Sequence, residues 1–297
     1  MDLVEEIVEK MDQSIDPATT NPYDKKQAIM NLNLIFNGYA RSGDKDAARR
    51  AHQLLWQLKD TRHLEPDVVT YTTVMESYAK SPWEADSAQK CLELLEAAKA
   101  AYRASQDPAH RPNARTYGVA IRALGKYPQE FRNAAKTARN LLLDLVNQYN
   151  ATGDESLRPD NHVYNHVINC AANTEGSKED KIAAFQVAAK TYQDLRFAEE
   201  VEVDSYTYAF WIKACNTLLT VSEFYVKCVT LSLTQCKKDG LMNDEVLKRI
   251  QQGHLSGSRL LELLGVGPDG QEKNYYTTDD LNPMWSRNVA KKQWKRR

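Results

Sequence analysis

The sequence predicts an all-α fold, an α-solenoid of stacked antiparallel helix pairs, on three observations. Ala, Leu, Glu, Lys and Gln dominate, while Gly 12 and Pro 10 are few for 297 residues, a mix that favours helix over strand and loop. A turn resembling Pro-Asp, followed by a helix-period apolar pattern, recurs at "LEPDVVTYTTVMESYAK" (64–80), "RPNARTYGVAIRALGK" (111–126), "RPDNHVYNHVINCAA" (158–172) and "VEVDSYTYAFWIKAC" (201–215). Each helix pair is too small to bury its own stripe, so stacking on its neighbours has to complete the core.

Taken in order, residues 1–28 hold "LVEEIVEKM" (3–11), which reads as a capping helix or as the second helix of an incomplete repeat. Five repeats follow, at 29–67, 68–113, 114–160, 161–204 and 205–244. The first helix of each carries Leu32, Tyr71, Tyr117, Tyr164 or Tyr208 at its fourth position. Six residues later comes a small residue: Gly38, Ser77, Ala123, Cys170 or Ala214. Apolar pairs between them keep one buried stripe, and the small residue is placed where another helix crosses closely.

The second helices share a signature, seen as Ala51-Leu54-Leu55-Leu58, Ala88-Cys91-Leu92-Leu95, Ala138-Leu141-Leu142-Leu145 and Ala188-Thr191-Tyr192-Leu195. The fifth repeat matches it poorly. Asp67, Asn113, Asp160, Asp204 and Asp244 close the repeats as N-caps, whose side-chain oxygen accepts an orphan N–H of the next helix. Pro66, Pro112 and Pro159 stop the connectors from becoming helix. Two connectors, "YRASQDPAHRPN" and "QYNATGDESLRPD", are longer than a minimal turn and are expected to loop out on one edge. Residues 245–297 hold "DEVLKRIQQ" and "SGSRLLELLG", an irregular helix pair, and then a basic tail. The simplest reading of that tail is a disordered segment, with contact to RNA or a membrane surface through Trp285 and Trp294 left open.

Hydrophobic residues make up 42% of the chain, enough for a core, and no apolar run approaches the length of a membrane span. "MDLVEEIVEK" reads as neither a secretory signal nor an Arg-rich transit peptide. The five cysteines, at 91, 170, 215, 228 and 236, form no C-x-x-C pair. They read as reduced core thiols of an intracellular or organelle-matrix protein. The net charge of −1 conceals an asymmetry. The last 17 residues carry six of the 39 Lys/Arg and no acid, so residues 1–280 hold 33 basic against 40 acidic side chains, a net of −7. Nucleic-acid binding through bulk charge alone is thereby excluded.

The pattern across 29–244, most specifically "PDVVTYTTVMESYAK" and "PDNHVYNHVINCAAN", resembles the pentatricopeptide repeat, a helix pair of roughly 35 residues. These repeats are longer. The W-x-x-L-G-x-x-Y run of tetratricopeptide repeats is absent. The resemblance implies a right-handed solenoid that binds single-stranded RNA, one base per repeat, in a mitochondrion or plastid. It implies that the fifth residue of each first helix and the last residue of the repeat read a base edge. Carried over, the pairs are Asn33 with Asp67 and Asn165 with Asp204, resembling those that prefer U, and Thr72 with Asn113, resembling those that prefer A. Gly118 and Ala209 leave the third and fifth repeats mute. Met30, Val69 and His162, with Arg115 and Tyr206, fall at the base-stacking position. Eight residues after the reading positions come Arg41, Lys80 and Lys126. They read either as phosphate contacts or as cations at helix C-termini.

No catalytic motif is present, and the chain is expected to be a binding protein rather than an enzyme, without cofactor or metal. His162 and His166 have i, i+4 spacing, but Val163 stands where a zinc-protease helix needs Glu. "GVGPDG" (265–270) reads as a turn. The second functional reading is a protein-interaction scaffold on the same solenoid, with a protein partner in place of RNA.

Overall fold

The computed structural model describes residues 22–62, 64–126, 131, 133–265 and 275–289. The expected helix at 3–11, most of the 265–270 turn and the tail from 290, with Trp294, lie outside them. The described residues form twelve α-helices and four short 3-10 turns, with no strand. None of these helices is long and apolar enough to cross a membrane. The chain divides into two compact units, Met1–Phe131 with Asp144–Arg158, and Arg132–Leu143 with Pro159–Arg297.

The first unit holds α1 (Pro22–Ser42), α2 (Ala47–Arg62), α3 (Val68–Lys80), α4 (Ser87–Ser105), α5 (Ala114–Leu124) and the later part of α6 (Ala134–Thr152). Helix α1 begins seven residues before the expected start of the first repeat. Helix α3 is central and packs against α1, α2, α4 and α5. The predicted stripes are the core. Leu32 and Phe36 of α1, Tyr71, Val74 and Met75 of α3, and Tyr117, Ala120 and Ile121 of α5 are all buried. Ser77 and Ala123 are buried as expected of small crossing residues. Gly38 is not: it is exposed, and a Cβ added there would meet nothing within 4 Å. Among the described residues no helix crosses closely at that point.

The two long connectors do not loop out. Each continues the second helix and then closes with a copied device. Gln106 and Gly153 adopt left-handed backbone, at φ 54° and 65°. Asp107 and Asp154 then cap 3-10 turns (Pro108–His110 and Glu155–Leu157) by accepting from the N–H groups of Ala109 and Ser156, each at 2.9 Å. The copies are joined by Arg111, which donates to Asp154 at 2.7 Å.

The second unit holds the first part of α6, then α7 (Asn161–Ala172), α8 (Lys178–Phe197), α9 (Ser205–Leu218), α10 (Glu223–Asp239), α11 (Asp244–Gln251) and α12 (Gly257–Leu264). Helix α9 is its hub, packed on α7, α8, α10 and α11. Tyr208, Ile212, Leu233, Cys236, Val246, Leu247 and Ile250 make one cluster, and Trp211, Ala214, Cys215, Tyr225 and Val229 belong to another. All five cysteines are free, four of them buried.

Four of the five expected N-caps stand. Asp67, Asn113, Asp160 and Asp204 accept from the N–H of the residue three ahead at 2.8 to 3.1 Å. The fifth is displaced by one. Asn243 is extended and accepts from Val246 N–H at 2.9 Å, whereas Asp244 is already helical. Asp244 instead receives the N–H and hydroxyl of Thr278. Either side chain can cap, and the backbone bend at 243 decides between them.

Residues 275–289 are folded against the second unit. Tyr276 and Leu281 are buried in its core, and the Lys237 ammonium lies 3.7 Å from the centroid of the Trp285 ring. Met242 N–H donates to the Trp285 carbonyl at 2.8 Å, while Asn288 and Arg287 donate to the Asp239 and Lys238 carbonyls. These are the orphan acceptors where α10 ends in left-handed Gly240. Trp285 and Arg287 therefore serve the fold, contrary to the reading of a solvated tail.

Consecutive second helices are tied by ion pairs: Lys99 to Asp144 at 3.1 Å in the first unit, and Arg139 to Asp194 and Arg196 to Asp239 in the second. Two of these carboxylates also accept a buried tyrosine hydroxyl, Tyr117 to Asp144 at 2.6 Å and Tyr208 to Asp239 at 2.5 Å. Burial is the largest influence on Asp144 and Asp239 and pushes both upward. Their donors (Tyr117, Gln148 and Lys99; Tyr208, Gln235 and Arg196) together outweigh it and hold both carboxyls below the ordinary value. Among the described residues Tyr71 has no such acid, and its buried hydroxyl has no partner.

Candidate nucleic-acid interface

Within each unit, the first helices of successive repeats lie side by side in the same direction, as cross-helix contacts show. In the first unit Thr72 meets Thr116, Glu76 meets Arg115, and Ser81 meets Lys126. In the second, Asn165 meets Asp204, Asn169 meets Lys213, and Ala172 meets Thr217. Residues at fixed offsets from the cap therefore form rows across neighbouring helices.

The fifth-position residue and the repeat's last residue meet in two repeats. Asn33 Nδ2 donates to Asp67 Oδ1 at 3.3 Å in the first unit, and Asn165 Nδ2 donates to Asp204 Oδ1 at 3.0 Å in the second. Thr72 and Asn113 do not touch directly. Thr116 Oγ1 lies between them, 2.8 Å from Thr72 Oγ1 and 3.1 Å from Asn113 Oδ1. A threonine three residues after the cap recurs at 70, 116 and 207, each hydroxyl within 3.1 Å of its cap oxygen. Thr70 Oγ1 also lies 2.7 Å from Asn33 Oδ1, which fixes that amide's orientation.

Access differs along this row. Asn33, Asp67, Asn113 and Asp204 are half-buried, whereas Thr72 and Asn165 are 5% and 2% exposed. Asn165 Oδ1 is buried with no hydrogen-bond partner, an acceptor at full desolvation cost. The stacking row is open: Met30, Val69 and Tyr206 are 54%, 52% and 49% exposed, and Arg115 and His162 are also exposed. Large apolar groups in water at the same offset in three repeats are not what capping or core packing asks for.

The charged row at the helix ends is divided. Arg41 is exposed. Lys80 pairs with Glu76 at 3.0 Å, and Arg115 holds the same carboxylate at 2.7 Å. Burial pushes Glu76 upward most strongly, but Arg115 and Lys80 together keep it below the ordinary value. Lys126 is turned onto the Ser81 carbonyl at the end of α3, and burial lowers its pKa. Thr217, at the same offset, donates to Ala172 at the end of α7. At these two positions the side chain donates to a carbonyl at the end of the preceding first helix. Glu76 thus faces two cations, Lys80 and Arg115, which leaves one net positive charge at that point of the first unit.

The second unit has an open cleft of about 1420 Å³ that Asp204 and Tyr206 line together with Glu202, Asn243, Arg287 and Asn288. Asp239, Asp244 and Glu245 also line it, against Lys238 and Arg287, so the cleft is acid-rich.

Sequence reasoning missed the bridging threonines, though Asp67-Thr70, Asn113-Thr116 and Asp204-Thr207 repeat at one spacing. It also missed the Glu76–Arg115 contact, which no spacing within a single helix reveals. No family model matches the chain, and no curated protein is significantly similar to it.

Proposed function

We propose that the chain is a pentatricopeptide-like α-solenoid that binds single-stranded RNA along its first helices and acts in organellar RNA processing, stability or translation. The observation that carries this is the coincidence of two rows. Direct pairs Asn33–Asp67 and Asn165–Asp204 sit beside open apolar residues at the stacking offset. A base inserted between neighbouring stacking residues presents its edge to the pair. The carboxylate accepts from an imino N–H, and the amide both donates and accepts. In the free protein the amide donates to the carboxylate, so binding exchanges that Asn–Asp bond for bonds to the base. That exchange limits the net gain per base and favours a modest affinity. The net positive charge of Lys80 and Arg115 over Glu76 in the first unit supplies backbone contacts despite the acidic body.

The alternative is a protein-interaction scaffold. The acid-rich cleft around Asp204 and Tyr206 and the burial of Thr72 and Asn165 favour it, because a cationic peptide segment would suit that cleft better than a polyanion. The test is binding of U/A-rich and scrambled single-stranded RNA at two salt concentrations. The RNA reading expects saturable binding that weakens with salt and favours the U/A-rich strand. No saturable binding at low salt, or equal affinity for both strands, would remove it in favour of the scaffold.

A further inference from the structure

Helices α9 and α10 form an antiparallel hairpin within the second unit, and two hydrogen bonds fix how they face each other. Trp211 Nε1 donates to Ser232 Oγ at 2.7 Å, and the Tyr225 hydroxyl donates to Asn216 Oδ1 at 2.9 Å. One turn on from Trp211 comes Cys215, and one turn back from Ser232 comes Cys228. Side chains four apart share a helix face, so this register sets the two cysteines opposite one another. They meet. The Cys215 thiol is hydrogen-bonded to the Cys228 sulfur, and both pack in the cluster of Trp211, Ala214, Tyr225 and Val229. Two thiols in contact across a helix pair form a disulfide with little movement of the backbone.

The two sulfurs are not equivalent. Cys215 is fully buried, whereas Cys228 alone of the five cysteines is partly exposed. The hydrogen bond from Cys215 draws the Cys228 thiol down to about 7; burial opposes this and the Lys227 charge assists it. Cys215 is pushed up, first by donating that bond and then by burial. Burial pushes Cys91, Cys170 and Cys236 up to about 12. Near neutral pH Cys228 is therefore about half thiolate, and it is the one sulfur that combines the nucleophilic form with access to solvent. Its neighbour is a protonated thiol already in contact. That is how an attacking cysteine and a resolving one are divided.

We infer that Cys215 and Cys228 are a peroxide-reactive pair that closes to a disulfide linking α9 to α10. The Cys228 thiolate attacks one oxygen of hydrogen peroxide. The O–O bond breaks, the S–O bond of a sulfenic acid forms, and the other oxygen leaves as hydroxide, which solvent protonates to water. The Cys215 sulfur then displaces the sulfenic oxygen, which takes up the Cys215 proton and departs as a second water. Two thiols lose two electrons, and one peroxide becomes two waters. The bond ties the helix that carries Asp204 and Tyr206 to the helix that follows it, and it closes only the short ring from 215 to 228. The inference is independent of the RNA reading.

The test treats the reduced full-length protein with a small molar excess of hydrogen peroxide at neutral pH. Intact mass, non-reducing electrophoresis and peptide mapping follow the product. A monomer lighter by two hydrogens is expected, with two of the five thiols closed to alkylation and both recovered by dithiothreitol. The link should join the peptides that carry Cys215 and Cys228. In Cys215→Ala the same dose should leave Cys228 as a sulfenic acid that dimedone traps, Cys228→Ala should keep its remaining thiols, and Cys236→Ala should behave as wild type. Oxidised wild type should melt several degrees above the reduced protein, a gain that a bond made by distorting the fold does not give. Wild type that keeps all its thiols, that gains oxygen without forming a link, or that crosslinks between molecules overturns the pair. So does a link from Cys228 to Cys236 in place of Cys215, or an oxidised protein that melts lower. The wild-type results decide the matter even where an alanine variant fails to fold.

Discussion

Removing the acceptor of a buried tyrosine is the sharpest test of how the second helices hold the stack. Tyr208 is fully buried, and its hydroxyl donates to Asp239 at 2.5 Å while Arg196 donates to both. Asp239→Ala strands that hydroxyl and the Arg196 guanidinium in a place water reaches poorly. One stranded neutral donor costs about 1–3 kcal/mol, and the half-exposed Arg196 recovers part of its loss in solvent. Tyr208→Phe removes the donor but leaves Asp239 with Arg196 and Gln235, so about 1 kcal/mol is expected. Tyr71→Phe is the internal control. Tyr71 is equally buried at the same repeat position, but its hydroxyl has no partner, so its loss should be neutral or stabilising. Urea unfolding followed by far-ultraviolet circular dichroism gives all three values. If Tyr71→Phe costs as much as Tyr208→Phe, the hydroxyl bond is not what stabilises, and the argument fails.

Three further outcomes are expected. Asn243→Ala should cost about 1 kcal/mol by removing the α11 cap, and Asp244→Ala should cost less, as compared by urea midpoints. Arg111→Ala should expose the copied connectors of the first unit, raising amide hydrogen exchange at residues 105–113 and 152–158 with little change in the midpoint, since its partner Asp154 is partly exposed. Asp144 and Asp239 have folded pKa values below the ordinary one, so the stability they add is complete above the unfolded value of about 3.9 and is lost as pH falls below it through the folded values. Urea midpoints should therefore fall below about pH 4 more steeply for wild type than for an Asp144→Asn, Asp239→Asn double variant.

The first helices were legible because one physical demand wrote them repeatedly. A cap, an aromatic four residues on and an apolar pair beyond give Asp67, Tyr71 and Val74-Met75, and the same logic gives Asp204, Tyr208 and Ile212. The errors arose where two residues satisfy one demand. Asn243 and Asp244 can both cap, and only the backbone angle separates them. Gly38 is small, but smallness records a close crossing only when a helix is there. The connectors could have been read: "SQDPAHRPN" and "TGDESLRPD" have equal length, with Ser/Thr-x-Asp and Arg-Pro at matching places. Two matching insertions indicate a shared structure rather than loose loops. The site was legible as a list of positions and not as contacts. The threonine bridge between Thr72 and Asn113, Arg115 on Glu76, Lys126 on the Ser81 carbonyl and Lys213 on Asn169 all depend on how neighbouring helices are registered. Trp285 was misjudged for a similar reason, because the basic residues beyond it hid the carbonyls of α10 that the segment covers.

The central claim is that RNA lies along the first helices with bases between the stacking residues. Ultraviolet crosslinking of the full-length protein to U/A-rich single-stranded RNA, with the crosslinked peptides mapped by mass spectrometry, tests it most directly. Crosslinks on the peptides that carry Met30, Val69 and Tyr206, reduced by an excess of unlabelled RNA of the same sequence, are the expected result. Crosslinks confined to the second helices, or none above an irradiated control without RNA, would contradict it.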